Sequence, residues 1–352
     1  MLNCVFMDEP EIVLDSKRIG RKHRPLVIAE IGINHEGKIE KAKKMIQDAY
    51  DAGAECVKFQ SHIIDDEMIP TDVIPGNSDE TIWEIVKRCS FSEKDEMSLK
   101  KFVDSLGMIY LSTPFSRESA DRLERLNVIG YKIGSGECNN YPLIEHIAEF
   151  GKPVIISTGM NDIESISKSV KICRESNIPF ALMHVTSMYP TPYEHVRLGA
   201  MTHIAEEFPD AVIGLSDHSI GNYTCFAGVA LGASILEKHF TSDKSWSGPD
   251  VPISIDPSEL KDLINGVDSI YKSLGGKKEI LSEEQPTINF AYSCVVAIRD
   301  IEIGENLSKE NVWVKRPGTG EILAKDFQKV LEYKAKMKIS KNTQIKWNMI
   351  EK

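Results

Sequence analysis

From Leu26 onward the chain alternates short apolar, β-branched runs with longer stretches whose apolar residues recur at helical spacing. The runs fall at 26–31, 56–59, 108–111, 129–133, 153–156, 180–183, 212–215 and 234–236. Helical periodicity fills the gaps at 40–52, 92–106, 117–126, 143–150, 163–176, 198–208 and 223–231, and returns at 257–274 after the eighth run. Strands followed by crossover helices predict an α/β fold with a parallel sheet. Eight such units suit a closed (β/α)8 TIM barrel, whereas an open doubly wound sheet rarely uses so many. The longest interruption, 62–89, follows the second run and predicts a loop with a short helix near the barrel mouth.

Both ends of the chain depart from this alternation. Residues 1–24 form an N-terminal extension, in which 12–14 and 18–24 predict a hairpin leading into the core. Gly, Lys, Glu and Pro dominate 275–287, which places a linker at 277–289 after a barrel spanning 25–276. Beyond it 293–298 and 312–315 predict strands, with Gly304 and Gly318 to Gly320 at turns, so 290–352 reads as a separate, mostly β domain. An apolar content of 41% over 352 residues is enough for a large core. The net charge of -11 argues against a nucleic-acid footprint. Seven cysteines (Cys4, Cys56, Cys89, Cys138, Cys173, Cys225, Cys294) are scattered without metal or redox spacing, as in a reduced cytoplasmic protein. Asp8, Glu9 and Glu11 stand where a signal peptide would be basic and then apolar, and no apolar run approaches membrane-spanning length, so no membrane association is expected.

Barrel chemistry sits where strands end, so the last residues of each run make a site inventory. In order they are Glu30, then Asn34, His35 and Glu36; Lys58 and Gln60; Ser112 and Thr113; Lys132, Ser135 and Glu137; Ser157 and Thr158; Thr186, Ser187 and Tyr189. The last two runs stop at Ser216-Asp217-His218 and at Glu237-Lys238-His239. Strand alternation puts Ser216 with His218 on one face, and Glu237 with His239; parallel neighbours would bring the two imidazoles together as the start of a metal site. The plainer reading is two hydrogen-bonded core histidines. Lysines at interior positions are costly unless an anion meets them. Lys58 and Lys132 among hydroxyls therefore point to a phosphate or carboxylate ligand, against a structural ion-pair network with Glu30 or Glu137. There is no serine nucleophile elbow, phosphate-binding Gly-Lys-Ser/Thr loop or dinucleotide glycine fingerprint. Lewis-acid activation of a carbonyl beside an anionic substrate fits what remains. The alternatives are a Schiff-base aldolase on Lys58 or Lys132, or a non-catalytic carbohydrate-binding barrel.

The strings Ala29-Glu30-Ile31-Gly32-Ile33-Asn34-His35-Glu36-Gly37, Tyr131-Lys132-Ile133-Gly134-Ser135-Gly136-Glu137, Ile156-Ser157-Thr158-Gly159-Met160, Tyr189-Pro190-Thr191-Pro192, Gly214-Leu215-Ser216-Asp217-His218-Ser219 and Glu237-Lys238-His239-Phe240 resemble those of bacterial sialic acid (N-acetylneuraminate) synthases. Gly248-Pro249-Asp250 and Lys315-Arg316-Pro317-Gly318 extend the resemblance, which runs from about residue 9 to the C-terminus. It implies a barrel followed by an antifreeze-like (SAF, β-clip) domain, and a homodimer in which that domain is swapped over the partner's site. It also implies condensation of phosphoenolpyruvate with N-acetylmannosamine for a capsule or surface polysaccharide, using a divalent metal, commonly manganese, with magnesium and cobalt as alternatives. His218 and His239 would be the metal ligands and catalytic residues, together with Glu30 and Glu137, which would position sugar hydroxyls and handle protons. Lys58, Thr113, Lys132, Ser135, Ser157, Ser187 and Ser216 would hold phosphoenolpyruvate; Gln60, Asn77, Tyr189 and Asp250 would line the sugar side, and Arg316 would arrive from the partner. Close relatives often carry Asn where this chain has Ser187, so an amide contact to phosphoenolpyruvate is lost or replaced by a hydroxyl. Synthases of legionaminic and pseudaminic acid share most of these motifs; Asn77 and Arg316 favour N-acetylmannosamine. On its own, Arg316 reads as a solvated basic turn.

Overall fold

The computed structural model describes residues 9–352, so the readings that rest on Cys4 and Asp8 lie outside the described residues. The chain divides into two compact units, Met1–Gly275 and Gly276–Lys352.

In the first unit Ile12–Leu14 (β1) and Lys17–Ile19 (β2) pair as an antiparallel hairpin. Eight parallel strands follow: Leu26–Gly32 (β3), Cys56–Ser61 (β4), Ile109–Pro114 (β5), Tyr131–Ile133 (β6), Val154–Ser157 (β7), Phe180–His184 (β8), Val212–Asp217 (β9) and Ile235–His239 (β10). Their hydrogen-bonded order is β5-β4-β3-β10-β9-β8-β7-β6, and β5 and β6 abut, so the sheet is a nearly closed barrel. Outward residues such as Val27, Ala29, Ile31, Val57 and Phe59 pack on the helix ring in the main core. The helix Ile39–Asp51 shows how that ring is addressed: Ala42, Met45, Ile46 and Ala49 are its buried residues, one helical stripe.

Inward residues at the strand starts form a second core that includes Ile28, Cys56, Leu111, Ile155, Val212 and Ile235. The hairpin contributes Ile12, Leu14 and Ile19 to it, closing the barrel's N-terminal end. Leu14 reaches Gly130, where an added Cβ would stand 2.8 Å from the leucine methyl. Only a glycine admits that contact. With the lower half filled by hydrocarbon, polar side chains inside the barrel are confined to its C-terminal half.

Several boundaries differ from the sequence pattern for physical reasons. The strand expected at 234–236 continues to His239, because Glu237 and Lys238 find buried polar partners and stay in the ladder. The insertion at 62–89 carries two helices, Ile64–Glu67 and Ile82–Cys89, the second started by a reciprocal Thr81–Glu84 cap. The expected linker at 277–289 is partly structured: Pro286 sits in the first turn of a helix Gln285–Ala291, a position that needs no N–H. Among the described residues no helix is long and apolar enough to cross a membrane.

In the second unit Cys294–Ala297 (β11) pairs antiparallel with Val312–Lys315 (β12), and Lys334–Ala335 (β13) with Ile350–Glu351 (β14). They enclose a small core built on Val295, Ile301, Val312, Val330, Ile339 and Ile345. The six described cysteines are buried and unpaired.

Candidate active site

Parallel register sets inward-facing polar residues of four neighbouring strands side by side. Glu30 is the Cα partner of Lys58 on one side and of His239 on the other, and Glu237 is the partner of Ser216. Above the apolar plug these residues floor a cavity of about 600 Å³ at the C-terminal mouth. Lys58 and Lys132 are 4% and 2% exposed. Lys58 Nζ lies 2.9 Å from Glu30 and 3.6 Å from Glu237 Oε1, and donates to Thr113 at 3.3 Å. Lys132 Nζ lies 3.4 Å from Glu237 Oε1 and donates to Ser157 at 2.7 Å. The Ser216 hydroxyl donates to Glu237 at 3.1 Å, and Gln60 donates to Glu30 at 3.3 Å.

Burial sets the proton affinities here, modulated by the pairs. It pushes the Glu30 carboxyl up to about 7 although Lys58 opposes the shift. Glu237 feels the same burial, but Lys132 and Lys58 outweigh it and hold its pKa below the ordinary value. Desolvation pulls Lys132 down to about 8, while Glu237 and Glu30 overcome it at Lys58 and keep that ammonium above its usual range. The anion-site and ion-pair readings of the lysines thus coexist, with Glu237 in the place expected of Glu137.

His218 and His239 emerge from β9 and β10, which are parallel neighbours, and their ring centroids lie 5.3 Å apart. His218 Nδ1 is 3.1 Å from the Thr186 carbonyl, which can only accept; the proton therefore sits on Nδ1 and Nε2 carries the lone pair. Burial lowers His218 to about 4 and His239 well below its usual value, so both rings are neutral at pH 7. His239 Nδ1 is buried without a hydrogen-bond partner, its nearest carboxylate being Asp250 at 3.7 Å. Two neutral imidazoles with one orphaned nitrogen fit a metal ion, as a pair rather than a cage: among the described residues no group of three His, Cys, Asp or Glu could hold one. Water or substrate would supply the remaining ligands, the open arrangement of catalytic sites.

Around the rim Tyr189 stacks on His218 at 4.2 Å, and Asn77 donates to Asp250 at 3.4 Å and to the Pro249 carbonyl at 3.2 Å. Burial raises Asp250 to about 6. Ser135 accepts from the Gly159 N–H at 3.1 Å, and the Ser187 hydroxyl is buried without a partner. Glu137, raised by burial, accepts from Asn140. All the barrel residues to which the resemblance gives a role therefore line one cavity: Glu30, Lys58, Gln60, Asn77, Thr113, Lys132, Ser135, Glu137, Ser157, Ser187, Tyr189, Ser216, His218, His239 and Asp250; Asn34, His35, Glu36, Ser112, Thr158 and Thr186 of the strand-end inventory do not. Arg316 belongs to the second unit, exposed after β12 and before a cis bond to Pro317.

Three further residues join them. Glu237, which strand alternation sets on the same face as His239, binds both lysines, a role the sequence pattern does not give it. His62 contacts Glu67 at 2.7 Å and Gln60 at 3.0 Å and stacks on Phe115, completing a chain of contacts to Glu30. Nothing in the local pattern marks that chain, because it is made by a loop folding back. By contrast Asn34 and His35 are structural: Asn34 holds the Phe240 carbonyl and Ser254, and His35 stacks on Phe91.

Comparison with known proteins bears on this geometry. Residues 45–279 match the NeuB family and residues 292–351 match the SAF domain. The chain is 37% identical over 309 residues to the N,N'-diacetyllegionaminic acid synthase of Campylobacter jejuni, covering 84% of this chain and 92% of that one. It is 32% identical over 303 residues to the human N-acetylneuraminate-9-phosphate synthase, covering 84% of each. Among solved structures it superposes on the N-acetylneuraminic acid synthetase of Leptospira borgpetersenii, crystallised with citrate. That match has a TM-score of 0.73 and 33% identity, and covers 80% of this chain and 95% of that one.

Proposed function

Since this chain belongs to the NeuB family, we propose that it condenses phosphoenolpyruvate with an open-chain acetamido sugar, N-acetylmannosamine, and releases phosphate by carbon–oxygen cleavage. The observation that carries the reading is the buried floor of two lysines and two carboxylates directly beneath a pair of neutral imidazoles. Lys58 and Lys132, with Thr113, Ser135, Ser157, Ser187 and Ser216, supply the donors for one phosphate and one carboxylate.

His218 and His239 would hold a divalent cation, manganese being the ion expected, which when bound would polarise the sugar aldehyde as a Lewis acid. The methylene carbon of phosphoenolpyruvate attacks the aldehyde carbon, forming the new carbon–carbon bond. Positive charge develops on the central carbon, and water adds there. Glu30, poised near neutrality, and Glu137 are placed to take the water proton and return one to oxygen. Collapse of the adduct breaks the carbon–oxygen bond, expelling phosphate and leaving the ketone. Closed barrel walls and the plug below exclude water other than that admitted at the mouth.

Charge narrows the acceptor. The lining holds two lysines and no arginine against five carboxylates (Glu30, Glu67, Glu137, Glu237, Asp250), so one anion uses the available cations and the barrel offers none to a phosphorylated sugar. A diacetamido-trideoxy hexose is the second reading, favoured by the apolar wall of Met68, Ile82, Ile85 and Val86 and by the C. jejuni relative. Exposed Ile69, Val73, Ile74 and Met160 lie on loops after the strand ends, and exposed Tyr193 and Tyr223 open the helices that follow two others, an apolar rim suited to cover by the SAF domain of a second copy, which would bring Arg316 to the N-acetyl group. The six cysteines among the described residues, all unpaired, agree with work in the cytoplasm.

Purified protein with manganese should release phosphate from phosphoenolpyruvate only when an acetamido hexose is added, faster with N-acetylmannosamine than with its diacetamido-trideoxy analogue. The reverse order would establish the second reading. Borohydride trapping should leave Lys58 and Lys132 unmodified; a covalent adduct together with full activity in chelator would replace this chemistry by a Schiff base.

A further inference from the structure

A buried ion pair stands directly behind the two imidazoles, and the chemistry above makes no use of it. Lys238 and Asp217 are Cα partners across β10 and β9, and each immediately precedes one of the histidines. Strand alternation turns their side chains away from the cavity. Lys238 is wholly buried, with Nζ 2.6 Å from Asp217 Oδ2 and a second donation to the Ser219 carbonyl. Asp217 also accepts from the Ser219 N–H at 3.1 Å, the Ser219 hydroxyl at 2.9 Å and the Thr224 hydroxyl at 2.7 Å. The network joins the end of β9, the turn after it and the first turn of the helix Tyr223–Ala230 to the end of β10.

As a source of stability this is a poor arrangement, because desolvating both charges offsets their attraction and apolar replacements of like volume are often neutral. A better attested use of such pairs is to fix register. The register at stake is the one that leaves His218 and His239 5.3 Å apart. We propose that Lys238 and Asp217 are positioning residues, a clamp that holds the two imidazoles at the separation one divalent cation requires. The inference rests on the metal reading above.

The test uses full-length protein and manganese alone, titrated calorimetrically without substrate, with thermal unfolding in chelator measured alongside. Lys238→Met combined with Asp217→Leu removes both charges and strands neither. The double variant should melt close to the wild type yet bind manganese ~10- to 100-fold more weakly, the usual cost of losing support behind a ligand. Lys238→Arg, which keeps donors for Asp217 and the Ser219 carbonyl, should retain the affinity. Wild-type affinity in the folded double variant would overturn the clamp while leaving the metal reading intact. If the wild type itself binds no manganese, the metal reading falls and takes the clamp with it. Should the double variant fail to fold, Thr224→Val, which removes one donor to Asp217, decides: unchanged affinity there overturns the proposal.

Discussion

Lys58 and Lys132 are paired with Glu30 and Glu237, so an entering anion must take over contacts that the carboxylates make. The exchange is feasible because Glu30, pushed up to about 7, is easily neutralised when its counter-ion turns to a ligand. It also ties binding to pH. Lys132 loses its proton near pH 8 in the free protein, well below an ordinary lysine, and only the charged form attracts an anion. Affinity for phosphoenolpyruvate should therefore fall as pH rises through about 8, measured as the Michaelis constant with the sugar saturating; an affinity unchanged across that rise would contradict the role given to Lys132. At this scale most of the site was readable in the sequence, because strand-end position and two-residue alternation together say which side chains enter a barrel. Alternation placed Glu237 on the same face as His239 but not its pairing with the two lysines, and the His62–Glu67 contact escaped because only tertiary folding creates it.

The elements divide the barrel into an apolar lower half and a polar upper half, and the β1–β2 hairpin makes that division sharp. Leu14 is fully buried against Gly130 at the base of β6, the strand that carries Lys132. Leu14→Ala should cost about 3 kcal/mol of stability through lost burial and an unfilled cavity. Chemical denaturation would read that loss, and a cost below about 0.5 kcal/mol would mean the hairpin is a surface ornament. The eight strands were legible because each is a compact apolar run between helical stretches. Where the pattern fell short, chain composition misled: Glu237 and Lys238 look like loop residues until their buried partners are seen, and the polar 277–289 segment hides the start of the helix Gln285–Ala291.

For the whole molecule, a barrel and a SAF domain form separate compact units with separate cores, so each is expected to fold independently. A protein ending at residue 275 should keep cooperative unfolding and bind manganese, yet lose most of its turnover, because the rim would stay uncovered and Arg316 would be missing. Full turnover by the truncated barrel would return Arg316 to a solvated turn. The sequence marked the two units by a change in composition at 275–287. The central claim concerns which bond breaks. With phosphoenolpyruvate carrying heavy oxygen in the bridge between carbon and phosphorus, mass spectrometry of the released phosphate should find the label there, because the carbon–oxygen bond is cut. Label retained in the keto acid, or no phosphate released with any acetamido hexose, would contradict the account.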